Sequence, residues 1–119
     1  MMRYTLLGLA FVLAASMAEN GIARPERIVP NQPYYADEFA MEGEIAELGE
    51  ERNFEEVFKN YEYYEAIYDE RERPILFRAY RRGEILWTER YHYDEQGKLI
   101  KKEIIRQGKP PETIHFGAP

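Results

Sequence analysis

The chain contains no cysteine. Disulfides, thiolate-bound zinc, thiol redox chemistry and a Cys nucleophile are therefore excluded. Serine is almost as scarce. Ser16 is the only one, and it lies in an N-terminal segment that reads as removable. Without that segment the aliphatic hydroxyls are those of Thr88 and Thr113, and a Ser-His-Asp mechanism has no nucleophile. Histidine is nearly absent too: His92 and His115 are 23 residues apart, with no His or Cys beside either. No metal site and no cofactor are expected from that pattern. Long apolar runs are also missing. Residues 5–15 form an uncharged, mostly apolar run of 11 residues, against about 20 for a membrane span.

What is present describes one small folded domain. The 119 residues are 45% hydrophobic and 14% aromatic, too apolar for a disordered chain. Residues 1–18 read as a signal peptide: Arg3 precedes the apolar run, and Ser16-Met17-Ala18 supplies small residues for cleavage after Ala18. Its removal would leave 101 residues with a net charge of −7, in the periplasm or secreted. Contact with the membrane is then expected only through that segment, before cleavage.

The charge is unevenly spread. Residues 19–72 carry 5 basic and 16 acidic groups, whereas residues 73–119 carry 10 basic and 6 acidic. Acidic and basic halves packed together explain the split, and so does an anionic envelope polymer held by the basic half. Nucleic acid is not expected, since the total charge is acidic and no recognition motif is present.

Residues 19–35, with Pro25, Pro30 and Pro33, read as a flexible leader to a domain at 36–116, with 117–119 as a tail. Two short helices are expected. In residues 36–48, Met41, Ile45 and Leu48 fall at helical spacing behind Asp37, though Gly43 interrupts the run. In residues 54–60, Asn53 and Glu56 resemble a capping box, with an early strand as the rival. From residue 61 the pattern changes to strands at 61–69, 74–81, 84–93, 98–106 and 112–116. Arg82-Gly83, Asp94-Glu95-Gln96-Gly97 and Gln107-Gly108 read as tight turns. The expected class is α+β: an antiparallel meander of four to five strands with one or two short N-terminal helices.

The chain also matches itself at a shift of 25 residues. Tyr68-Asp69-Glu70 overlies Tyr93-Asp94-Glu95, and Arg81 and Gly83 overlie Arg106 and Gly108. The turn-forming residues are thus Asp69, Gly83, Asp94, Gly97 and Gly108. Residues 89–100, ERYHYDEQGKLI, resemble the tyrosine-aspartate repeat of Rhs-type proteins, with Arg90, Tyr91, Tyr93, Asp94, Gly97, Lys98 and Leu99 at matching positions. The first copy departs from it, with Glu72 at the turn glycine and Pro74 at the leucine. The resemblance implies a β-hairpin element over about residues 61–106 and no reaction.

Alternation in residues 84–93 puts Ile85, Trp87, Glu89, Tyr91 and Tyr93 on one face, and Leu86, Thr88, Arg90 and His92 on the other. An aromatic face is either core or a binding platform, so Trp87, Tyr91, Tyr93 and Arg90 are the candidate binding residues. No catalytic residue stands out. Glu89, flanked by Trp87 and Tyr91, is the acid to watch, although pairing with an Arg on a neighbouring strand would explain it as well. The expected function is a non-catalytic binding or interaction module of the bacterial envelope, for an unknown protein or envelope polymer. The alternatives are a carboxylate hydrolase acting on an envelope saccharide, and a purely structural hairpin module.

Overall fold

The computed structural model describes residues 27–117. The expected signal peptide and the start of the expected leader lie outside that range. The described residues form nine strands and one short helix: β1 (Pro33–Ala36), β2 (Phe39–Glu42), β3 (Ile45–Leu48), β4 (Glu51–Arg52), α1 (Phe54–Val57), β5 (Glu62–Tyr68), β6 (Pro74–Arg81), β7 (Glu84–Tyr93), β8 (Leu99–Arg106) and β9 (Glu112–His115). Seven strands make one antiparallel sheet in the order β4-β1-β5-β6-β7-β8-β9, while β2 and β3 pair only with each other. No helix among the described residues is long and apolar enough to cross a membrane.

This is a largely all-β fold, which corrects the α+β expectation. Residues 36–48 do not form a helix. They form the β2–β3 hairpin, with Phe39 opposite Leu48 and Glu42 opposite Ile45. Gly43 sits in the two-residue turn at φ +61°, as hairpin turns of this length favour. The helical spacing of Met41, Ile45 and Leu48 is coincidental: Ala46 and Leu48 point into the core on a strand alternation, and Met41 is exposed. The second expected helix survives as α1, a single turn. There the Glu56 carboxylate accepts the Asn53 amide hydrogen at 2.8 Å.

The leader also joins the fold earlier than its prolines indicate. The Asn31 amide donates to the Tyr68 carbonyl at 3.0 Å. Pro33 then opens β1 at the first strand position, where a missing N–H is tolerated. β1 inserts between β4 and β5 and so lies inside the sheet.

Residues 62–115 run as the meander that the glycine turns predict. The two Asp turns repeat each other bond for bond. Oδ1 of Asp69 accepts from the Arg71 and Arg73 amides at 2.9 and 3.0 Å, and Oδ1 of Asp94 accepts from the Gln96 and Lys98 amides, both at 2.9 Å. Gly97 takes φ +87° in the second turn, and Glu72 takes φ +62° at the same place in the first. The 25-residue repeat is thus one turn geometry used twice. Three register shifts, between Ile67 and Tyr68, Ala79 and Tyr80, and His92 and Tyr93, interrupt the meander.

The core lies between the sheet and the hairpin. Phe39 packs against Tyr64, Phe77 and Trp87 at ring separations of 4.7, 5.1 and 5.9 Å. Tyr68, Phe77 and Leu48 are fully buried there. Each such side chain contributes about 1.5–3 kcal/mol by leaving water.

Candidate functional site

The two faces of the sheet each hold one buried glutamate, and they differ in what covers them. On the face under the hairpin, Glu89 is 7% exposed. It accepts from Tyr91 Oη at 2.6 Å and from Trp87 Nε1 at 3.2 Å, and lies 3.7 Å from Lys102 Nζ. Lys102 comes from β8, directly opposite Tyr91. It also donates to the Glu44 backbone carbonyl and carboxylate at 2.9 and 3.2 Å, which ties the hairpin turn to the sheet. Tyr91 Oη in turn accepts the Ala46 amide hydrogen at 2.8 Å. Burial and the Glu89 carboxylate push the Tyr91 phenol well above its ordinary range, so it remains protonated and donates.

The residues singled out in the sequence are therefore dispersed. Tyr91 is 3% exposed beneath β3, and Trp87 is half-buried beside Phe39. Tyr93 donates its hydroxyl to the Pro74 carbonyl at 2.6 Å, with Arg73 stacked 4.4 Å above its ring. Arg90 stands exposed on the opposite face, between Leu76 and Glu103. Asp69, Gly83, Asp94, Gly97 and Gly108 all lie at the reversals between consecutive strands, with Asp94 and Gly97 in the same one. Asp69 is pushed up by partial burial, but the hydrogen bonds and charge of Arg73 more than offset this and hold it below the ordinary carboxylate range. Ile85 leaves the Trp87 face. The register shift pairs it with Tyr80, and Leu86 takes its place against the core.

The opposite face of β1, β5, β6 and β7 carries the second glutamate. Glu65 is 6% exposed. Tyr80 donates to Oε1 at 2.9 Å, Arg78 to the same oxygen at 3.2 Å, and Tyr35 to Oε2 at 3.2 Å. Cross-strand register produces this cluster, since Tyr35, Glu65 and Arg78 are direct neighbours on β1, β5 and β6. The Tyr63 ring stacks on Tyr80 at 4.7 Å, with the planes 8° apart. Tyr35 leads to Phe54 at 5.2 Å, and Phe54 stacks on Phe58 at 5.4 Å. Burial, then the Glu65 charge, pushes Tyr35 and Tyr80 each up to about 12, so both stay protonated and donate. Nε of Arg78 is buried without a hydrogen-bond partner.

Around this network, apolar surface is left in water. Phe54 and Phe58 are 45% and 47% exposed, and Tyr61, Ile85 and Ile105 are exposed as well. Sequence reasoning missed this cluster because its members come from three strands and the helix. One signal was present: Tyr63-x-Glu65 repeats the aromatic-x-acid spacing of Trp87-x-Glu89.

The class defined by this geometry is an antiparallel sheet with a hairpin on one face and an aromatic network on the other. No protein-family model, curated protein or solved structure matches the chain.

Proposed function

We propose that the protein is a non-catalytic binding module of the bacterial envelope, and that it meets a partner protein through the Tyr35–Glu65–Tyr80 face. The observation that carries this reading is the exposed, stacked Phe54–Phe58 pair at the rim of that face. Exposed aromatics beside a fixed polar network resemble the anchor-and-rim arrangement of protein interfaces. The Glu65 bonds hold Tyr35 and Tyr80 in place before any partner arrives, which lowers the ordering cost of association. The signal-peptide pattern of residues 1–18 supports the envelope assignment.

A hydrolytic reading has less support. Glu89 is held by two donors and a lysine beneath the hairpin, and Glu65 already accepts three hydrogen bonds.

The test is affinity capture from envelope fractions with the wild type and with Phe54→Ala/Phe58→Ala. Both side chains are half-exposed, so the fold tolerates their loss. Removing two anchors is expected to weaken capture at least about 30-fold, the equivalent of 2 kcal/mol. Equal recovery of the same partner by both proteins would remove the aromatic rim from the interface.

A further inference from the structure

Both histidines of the chain meet in one row of the sheet. The register sets His92 of β7 opposite Lys101 of β8, and Lys101 opposite His115 of β9. Paired residues project from the same face, so the two imidazoles flank one ammonium group across three strands, each step about 4.8 Å. A cleft of about 750 Å³ opens beside this row. Its lining combines His92, Lys101 and His115 with Tyr93, Ile100 and Phe116. Ile100 is the extra residue at the register shift between His92 and Tyr93, next to Lys101 of the row. Lys98 stands at the rim: a Cβ built on Gly117 would lie 3.7 Å from its Nζ.

The charges around the row are one-sided. In a chain with 22 acidic residues, the cleft wall contains none. Arg90 and Glu103 occupy the adjoining row. Glu103 is bound to His92 Nε2 at 2.8 Å, a contact that draws its carboxyl below the ordinary range. A protonated His92 satisfies Glu103 through Nε2 and still has its second N–H to donate. Among the described residues, no group of three or more His, Asp or Glu side chains is placed to hold a metal ion. The arrangement therefore suits an anion and not a cation.

We propose that this cleft binds a phosphodiester anion carried on an apolar body, with Lys101 and the imidazoles of His92 and His115 on the charge and Phe116 and Ile100 on the body. The charged groups around the two imidazoles are Arg90, Lys98, Lys101 and Glu103, three basic side chains and one acid. The site does not depend on the aromatic rim of the partner-binding proposal.

The probe is diphenyl phosphate, a singly charged diester on an apolar body. Binding to the full chain is followed by NMR through the two imidazole resonances, and both are expected to shift. Lys101→Gln and His115→Gln, both at partly or fully exposed positions, are each expected to weaken binding about tenfold while leaving the amide spectrum folded. Phosphatidylglycerol vesicles, with phosphatidylcholine as the neutral control, separate a lipid headgroup from a soluble diester as the source. Binding of either through Lys101 supports the site. Failure of both to move the imidazole resonances, or indifference to both substitutions, would overturn it.

Discussion

Tyr91→Phe is the sharpest perturbation of the hairpin cover. The hydroxyl joins β7 to β3, donating to Glu89 at 2.6 Å and accepting the Ala46 amide hydrogen at 2.8 Å. Its loss leaves the Ala46 N–H, in a residue with no exposed surface, without an acceptor. An orphaned buried donor costs about 1–3 kcal/mol. Glu89 also loses its shortest bond, charge-assisted and worth about 1.5–3 kcal/mol, while Trp87 and Lys102 remain in place. The expected destabilisation is about 3 kcal/mol, or about 12–24 °C in Tm for a domain of this size. Urea denaturation followed by the fluorescence of Trp87, the chain's only tryptophan and a neighbour of Phe39, reads the loss directly. Hydrogen exchange should show the Ala46 amide opening first. Tyr35→Phe is the internal control. It removes one of three donors to Glu65 and no backbone partner, for about 1 kcal/mol. A Tyr91→Phe loss below about 1 kcal/mol, with Ala46 still protected, would refute the view that this hydroxyl pins the hairpin.

The twin turns give two further predictions. The folded-state pKa of Asp69 is lowered, so the stability it contributes is present above its unfolded value of 3.8 and is lost as pH falls through the folded value. Asp69→Asn keeps an oxygen for the turn amides but drops the ion pair with Arg73, 2.9 Å away. It should cost about 1 kcal/mol at neutral pH, with the difference shrinking in acid below pH 3.8, as measured by urea midpoints across pH. A difference that stays constant into acid would show that charge is not the cause. At the left-handed positions, Gly97→Ala should destabilise by about 1–2 kcal/mol, and Glu72→Gly should be neutral or stabilising by up to about 1 kcal/mol. Thermal melts of the two variants check the pair, and the same sign for both would break the equivalence of the turns.

Much of the meander was legible because its signals are local. Gly83, Gly97 and Gly108 mark reversals, Asp69 and Asp94 close their own turns, and alternation fills the strands between them. The segments at 74–81 and 84–93 fall where sequence reading placed them. The hairpin at 39–48 was read as a helix because Met41, Ile45 and Leu48 satisfy a helical period while Phe39, Ala46 and Leu48 satisfy a strand period across Gly43. Short apolar runs do not separate the two, and docking on Tyr64, Phe77 and Trp87 decides between them. β1 was hidden in a proline-rich stretch, although Pro33 only needs to begin it. Ile85 was assigned to the wrong face because a one-residue slip at Ala79–Tyr80 inverts every position beyond it.

By itself, the sequence determined what chemistry is impossible and where the chain turns. Absent thiols cannot act, and glycine and aspartate bend the backbone through bonds within a few residues. Tertiary structure decided which face became core. Strand alternation defines two faces but does not say which will be covered. That depends on the hairpin folding back over Phe77 and Trp87 and locking onto Tyr91 and Lys102 across more than 40 residues of chain. The same long-range pairing joins Tyr35 to Glu65 and His92 to His115, and no local pattern could announce either.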